Sequence, residues 1–280
     1  MVELSNIYAN NSRVLERVAM ALPVIRFVRP RKLFSALAVS ALTVATMAAT
    51  AGADAPPPRA DVPVDATIEV GAGEVFDGEG DRYYGVGELG DGGQGEDQPA
   101  MFELADGATL SDVVIGAPAA DGVHCLGTCT LRNVVWEDVG EDAATFKAED
   151  AGATMTVEGG SAARADDKVF QHNGAGTVII RNFAVSDFGK LYRACGNCGN
   201  NPQERHVRLE NVSATAPGDS LVGINVNYGD TATFSGITVA GDREMEICGW
   251  YEGVTDGEPD HVGSGPSDQC RYDPDGISYE

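Results

Sequence analysis

Six stretches decide the fold: TLSDVVIG (109–116), TLRNVVWED (130–138), TMTVEGGSA (154–162), TVIIRNFAVSD (177–187), VRLENVSA (207–214) and ATFSGITVAG (232–241). Each is a short β-branched run, and their centres at Val113, Val134, Gly160, Phe183, Val212 and Ile237 recur at intervals of about 25 residues. A second row lies between them: DGVHC (121–125), DAATFK (142–147), DKVFQHNG (167–174), KLYRACG (190–196), INVNYG (224–229) and MEICGWY (245–251). Each period thus holds at least two strands separated by Gly, Asn or Asp turns, and no stretch beyond the N-terminal region keeps a helical period over three turns. An antiparallel sandwich would place turns every 8–12 residues or so without similarity at a longer period. Coils of a solenoid cannot bury their apolar face alone and must stack, which yields a repeat of this length with equivalent bends, here at Asn133, Asn182, Asn211 and Gly236. The pattern therefore predicts an all-β, right-handed parallel β-helix with about 25 residues per coil.

Outward from that core, composition bounds the partners. The 280 residues carry 19 Lys+Arg against 43 Asp+Glu, a formal net charge of −24. Nothing in such a chain supplies the basic patch that nucleic acid requires, and an anionic membrane surface repels it. The N-terminal region reads differently. The basic RFVRPRK (26–32) precedes the uncharged LFSALAVSALTVATMAATAGA (33–53), and Ala53-Asp54-Ala55 offers a small-residue cleavage site. Residues 1–55 are expected to be a secretory signal peptide with a preceding extension, and 56–60, beginning Pro56-Pro57-Pro58, a short stiff linker. The competing reading of 33–53 is an uncleaved membrane anchor. Export predicts an extracellular monomer with no membrane contact after cleavage.

Six cysteines in an exported chain suggest three disulfides. Local pairing gives Cys125–Cys129, Cys195–Cys198 and Cys248–Cys270, the simplest of 15 connectivities. A zinc site from the first four cysteines, or a redox dithiol at CGNC (195–198), are the alternatives.

Stacking converts the charged residues into a site. Glu96, Asp121, Glu141-Asp142, Asp166-Asp167-Lys168 and Arg193 recur at close to one period, so the solenoid would set them above one another at about 4.8 Å per coil. The expectation is a column of carboxylates ending in Lys168, Lys190 and Arg193. Close carboxylates raise one another's pKa unless they share a cation. Oxygen ligands without a His or Cys cluster select a hard ion such as Ca²⁺. A solvated acidic face is the plain alternative.

At these residues the chain becomes recognisable. GDGGQGEDQPAMFELADGATL (90–110), ADGVHCLGTCTLRNVVWEDVGEDAATFK (120–147), ADDKVFQHNGAGTVIIRNF (165–183), DFGKLYRACGNC (187–198) and INVNYGDTATFSG (224–236) together resemble the family-3 pectate lyases of bacteria and fungi. The resemblance spans roughly residues 61–252, and it implies a short parallel β-helix that cleaves polygalacturonate, the backbone of pectin, by Ca²⁺-dependent β-elimination. It implies acidic cleft residues at Glu96, Asp121, Glu141 and Asp142, the last three as Ca²⁺ ligands, and basic cleft residues at Lys147, Lys168, Lys190 and Arg193. It also places Asp138 near a second, more structural Ca²⁺ site. The chemistry assigns proton abstraction to Lys168 and charge stabilisation to Arg193, with an arginine base as the rival assignment. Lys147, Lys190 and Glu96 are then expected to bind uronates. Two other classes compete: a β-helical hydrolase using Asp166 and Asp167 as paired acids, and a non-catalytic carbohydrate-binding β-helix. His172 reads as a hydrogen-bonded turn residue and His124 as structural, while Trp136, Trp250 and Tyr228 suit either sugar stacking or the core. Residues 253–280 match the family least and are expected to form an acidic cap with a frayed end.

Overall fold

The computed structural model describes residues 60–95, 97–201 and 204–280. Residues 1–55, expected to be a signal peptide with a preceding extension, nearly all of the expected linker at 56–60, and Glu96 lie outside the described residues. Among the described residues no helix is long and apolar enough to cross a membrane.

Among the described residues twenty strands join in one hydrogen-bonded system, and their pairing divides into three sheets, parallel but for one pair at the C-terminal end. In the first, Asp61–Val64 pairs with Arg82–Gly85, which pairs with Val114–Gly116, then Val135–Trp136, and so on up the stack. In the second, Ile68–Val70, Phe102–Leu104, Val123–Cys125 and Ala144–Phe146 follow one another, succeeded by the ends of the long strands Ser161–His172, Gly176–Ala194 and Arg205–Asn225, and then by Glu246–Glu252. The third runs from Val75–Asp77 through Ala108–Ser111, Cys129–Arg132 and Thr154–Glu158 to Cys270–Arg271. This is a parallel β-helix in which one turn of chain contributes one strand to each sheet.

The repeat read from the sequence coincides with the register. Val114, Val135, Ser161, Ala184, Ser213 and Thr238 are successive partners, each one residue beyond a predicted centre. The bends repeat for a steric reason. Asn133, Asn182 and Asn211 have φ of 51°, 54° and 56°, and Gly236 has 64°, the left-handed region that Asn tolerates and Gly adopts freely. Asn211 Nδ2 donates to Asn182 Oδ1 at 3.3 Å. A Cβ on Gly236 would lie 2.4 Å from Asn211 Oδ1, so the next rung of this ladder must be glycine.

Inside, Leu110, Leu131, Val157, Ile180 and Leu209 stack on one wall. Phe102, Val123, Ala144, Phe170 and Tyr192 stack on another. All ten side chains are buried, each removing apolar area worth about 25 cal/mol per Å². Trp136 belongs to this core, edge-on to Phe170 with centroids 5.9 Å apart, and cannot stack on a sugar. The three disulfides follow the local pairing, which leaves no free thiol for zinc or redox chemistry.

The C-terminal residues do not fray. Asp260–Ser264 reverses direction and pairs antiparallel with Glu246–Glu252. Ser278–Tyr279 completes a further coil on Thr238–Val239, and the backbone N–H of Glu280 still donates to Val239.

His172 is not in a turn. It lies within Ser161–His172, fully buried, with Nδ1 2.8 Å from the Tyr192 hydroxyl, and so cannot touch substrate. Burial first, and then the nearby Arg205 cation, push its pKa down to about 3. A neutral buried imidazole resists a proton that the unfolded chain accepts below about pH 6.5, so its contribution is present above that pH and drains away as pH falls towards 3. The melting temperature should therefore drop steeply between pH 6.5 and 4, and His172→Gln should flatten that drop. An equally steep acid limb in the variant would place the sensitivity elsewhere.

Candidate active site

The second sheet carries the site on its outer face. Register puts the polar residues in two rows. Lys168, Lys190, Ser220 and Glu246 are successive partners in one, and His124, Thr145, Gln171, Arg193 and Gly223 in the other. Arg193 thus does not stand above Lys168, as the average period suggested. It stands above Gln171, because the coil from Lys168 to Lys190 is shorter than average and a register shift separates Ala165 from Lys168.

Asp121, Glu141 and Asp142 converge at the lower end of these rows. Each offers a carboxylate oxygen, and all three oxygens lie within 4.8 Å of one another. The three side chains are almost wholly buried. Burial, followed by the neighbouring acids, raises the Asp142 carboxyl well above the usual range, with Lys168 opposing. Asp121 Oδ1 and Asp142 Oδ1 are buried without a hydrogen-bond partner. Three convergent carboxylates with two unfilled oxygens fit a hard divalent cation. Asp121 and the Glu141-Asp142 pair would hold it.

Lys168 bounds the cluster. Its ammonium lies 2.6 Å from Asp167, 3.5 Å from Glu141 and 3.6 Å from Asp142. Burial alone would lower its pKa, but Asp142, Asp167 and Glu141 outweigh that and raise it. Asp167 also accepts from Lys190 at 3.0 Å. Its carboxyl is held below the usual range because the two lysines overcome the effect of burial. Arg193 differs: it is buried and, among the described residues, has no carboxylate within ion-pairing distance. Its Nη1 donates to the Ala194 carbonyl at 2.7 Å and to Asn225 Oδ1 at 3.1 Å, and its guanidinium stacks 3.8 Å from the Tyr251 ring centroid. Burial lowers its pKa.

Lys147 reaches the cluster through a residue that sequence reasoning took as merely structural. His124 Nε2 is 2.5 Å from Asp121 Oδ2, and the Lys147 ammonium rests on the same imidazole at 2.9 Å. The signal was present in part, since His124 lies only three residues after Asp121, across the turn that leads into Val123–Cys125. Asp138 stands apart from the cluster. It pairs with Arg164 at 3.1 Å beside a cavity of about 420 Å³ that Asp166, Asp187 and Asp219 also line. Asp166 and Asp167 therefore face different surroundings, one this cavity and the other the two lysines.

The family model for pectate lyases matches residues 53–258. The chain belongs to the pectate lyase family. Among curated relatives in the family, pectate lyase H of Emericella nidulans is 50% identical over 220 residues, covering 78% of this chain and 82% of that protein. The probable pectate lyase D of the same organism is 48% identical over 211 residues, 74% of this chain and 78% of its own length. Among solved pectate lyase structures, the catalytic domain of PelI from Erwinia chrysanthemi superposes with a TM-score of 0.68 at 32% identity, covering 79% of this chain and all of that one. PelI in complex with tetragalacturonic acid gives 0.65 at 31%, covering 78% and 70%.

A cation held by the three carboxylates binds the folded protein only, so Ca²⁺ at one hundred times its dissociation constant should add about 2.7 kcal/mol of stability. Asp142→Asn, which keeps the shape and removes a charge, should cost most of that increment, as read from melting curves with and without Ca²⁺. Equal increments in the two proteins would move the cation away from Asp142.

Proposed function

We propose that this pectate lyase is exported by a signal peptide that, with a preceding extension, occupies residues 1–55, and that it cleaves de-esterified polygalacturonate as a monomer by Ca²⁺-dependent β-elimination. The observation that carries the reading is a buried three-carboxylate cluster beside three cations, Lys168, Lys190 and Arg193, on one face of the solenoid. Asp121, Glu141 and Asp142 would hold Ca²⁺ there, which would supply Lewis-acid withdrawal of charge from the uronate.

The rest falls to side chains. The C5 proton of a uronate is only weakly acidic, so its removal needs an electrophilic setting and a free base. The base takes that proton, the C5–H electron pair forms the C4=C5 double bond, and the C4–O bond breaks. The leaving oxygen takes a proton from solvent, and a 4,5-unsaturated end remains. Lys168 is poorly suited to be the base. Its ammonium lies 2.6 Å from Asp167, a carboxylate outside the cation-binding cluster that favours the protonated form. Arg193 has its pKa lowered by burial and, among the described residues, no carboxylate within ion-pairing distance. The proton therefore goes to Arg193, reversing the expectation from sequence, and Lys168 stabilises the developing carboxylate charge. Lys190 and Lys147 bind the uronate groups of neighbouring sugars, and Glu96 keeps the substrate-binding role that the family resemblance implies. Asp138, with its neighbouring aspartates, is the proposed place for a structural Ca²⁺.

The paired-acid hydrolase has less support. A general acid needs a raised pKa, whereas Asp167 is held low by Lys168 and Lys190. The test is the ultraviolet absorbance of the unsaturated product during digestion of polygalacturonate, with Ca²⁺ and with excess chelator. A rise that the chelator abolishes supports the lyase. New reducing ends without absorbance would mean hydrolysis, and no cleavage a binding module. The base is tested by Arg193→Lys. Lysine titrates lower than arginine, so kcat/KM of the variant, although reduced about a hundredfold by altered geometry, should reach its plateau at a lower pH. An unchanged pH profile would return the proton to Lys168.

A further inference from the structure

The motif INVNYGD (224–230) contributes none of the groups assigned above, yet two of its side chains, Asn225 and Asp230, are fully buried directly behind Arg193. Their hydrogen bonds form a chain with a fixed direction. Asp230 Oδ1 accepts from the backbone N–H of Arg205 at 2.9 Å. Its Oδ2 accepts from the backbone N–H of Asn225 at 2.8 Å and from Asn225 Nδ2 at 3.0 Å. Asn225 Nδ2 also donates towards the carbonyls of Ala194 and Cys195, at 3.3 and 3.1 Å. With three acceptors around its nitrogen, the amide has only one orientation, which leaves Oδ1 to accept from Arg193 Nη1 at 3.1 Å. Flipping it would set an NH₂ donor against a guanidinium and a carbonyl oxygen against a carboxylate.

A neutral acceptor at this place has a chemical consequence. A carboxylate would hold the guanidinium by a charge-assisted bond and raise its pKa. An amide oxygen fixes the same geometry without adding charge, so burial still outweighs the more distant groups, Tyr251 and Asp230 among them, that act to raise the Arg193 pKa. The opposite side of Arg193 is shaped to match. Gly223 is its register partner, and a Cβ there would lie 2.8 Å from Arg193 Cδ and 3.0 Å from the Tyr251 ring. The stem therefore lies flat on bare backbone, between the Asn225 amide and the Tyr251 face.

We infer that Asn225, oriented by Asp230, is a positioning residue that holds Arg193 in its reactive orientation without forming an ion pair with it. The inference rests on the lyase reading for its kinetic consequence and on geometry alone for its structural one, so each is read separately. In side-chain ¹⁵N spectra, the Arg193 guanidinium signal, assigned by its loss in Arg193→Ala, should be that of a locked group in the parent and rotationally averaged in Asn225→Ala. In kinetics on polygalacturonate, Asn225→Ala should lower kcat about 10- to 100-fold with KM within about twofold. The same change made in Arg193→Ala should cost nothing further, because its effect passes through Arg193. Asp230→Asn, nearly isosteric, serves if Asn225→Ala fails to fold, and should give the same spectral change and a smaller kcat loss. Asn225→Asp should keep the Arg193 signal locked yet lose rate, most of all towards neutral pH. An averaged Arg193 in the parent, an unchanged signal in both Asn225→Ala and Asp230→Asn, or losses that multiply in the Arg193→Ala background would overturn the inference. A locked signal that Asn225→Ala releases, alongside an Arg193→Ala protein of full activity, would uphold the positioning and overturn the role of Arg193 in elimination.

Discussion

The backbone donors and acceptors of each coil are satisfied by the coils above and below, in parallel register and along three walls at once. The rest of the molecule depends on that ladder. It spaces the chain at about 4.8 Å per turn, and it leaves side chains no choice but to meet their counterparts one coil away. Hydrophobic counterparts meet as the internal stacks of Leu110, Leu131 and Val157. The left-handed bends meet as an asparagine ladder. On the second sheet the ladder forces charged residues together that a freer chain would keep in water. Three carboxylates and Lys168 become buried within a few ångströms of one another.

Such a group can be buried only if its charges nearly balance. Asp167 links Lys168 to Lys190, Lys168 faces Glu141 and Asp142, and His124 joins Asp121 to Lys147. Arg193 escapes this arrangement, and its environment is built from neutral groups: a carbonyl, an amide and an aromatic face. Two cations on neighbouring coils are thus given opposite electrostatic settings, one raised by acids and the other lowered by burial.

Much of this was legible in the residues, and the parts that were not share a cause. The centres from Val113 to Ile237 repeat with their hydrophobic period, so they fell into register to within one residue. The acidic cluster was legible too, because Asp121 and Asp142 begin equivalent segments. Arg193 was assigned to the wrong row because an average period cannot locate a bulge, and the bulge before Lys168 moves every later residue relative to the earlier coils. The role of His124 lies in a side-chain contact that spacing alone does not specify. Asn225 and Asp230 look like turn residues in sequence, since Asn and Asp favour turns. Only the closed set of hydrogen bonds around them shows that the segment is a buried brace. The same limit applies at the C-terminus, where composition resembles a loose tail but Ser278–Tyr279 finds a partner strand far back in the chain.

The reversed strand Asp260–Ser264 matters for assembly as well as for shape. A parallel solenoid ends in an open strand edge that another copy could extend, the route by which β-rich proteins grow into fibres. Here the last parallel strand of the second sheet, Glu246–Glu252, already has an antiparallel neighbour, whose residues are mostly exposed and include Asp260 and His261. Cys248, tied to Cys270, fastens that strand to the third sheet. The sheet that carries Arg193 therefore ends without a parallel edge, so that its tendency to propagate is spent within a single chain.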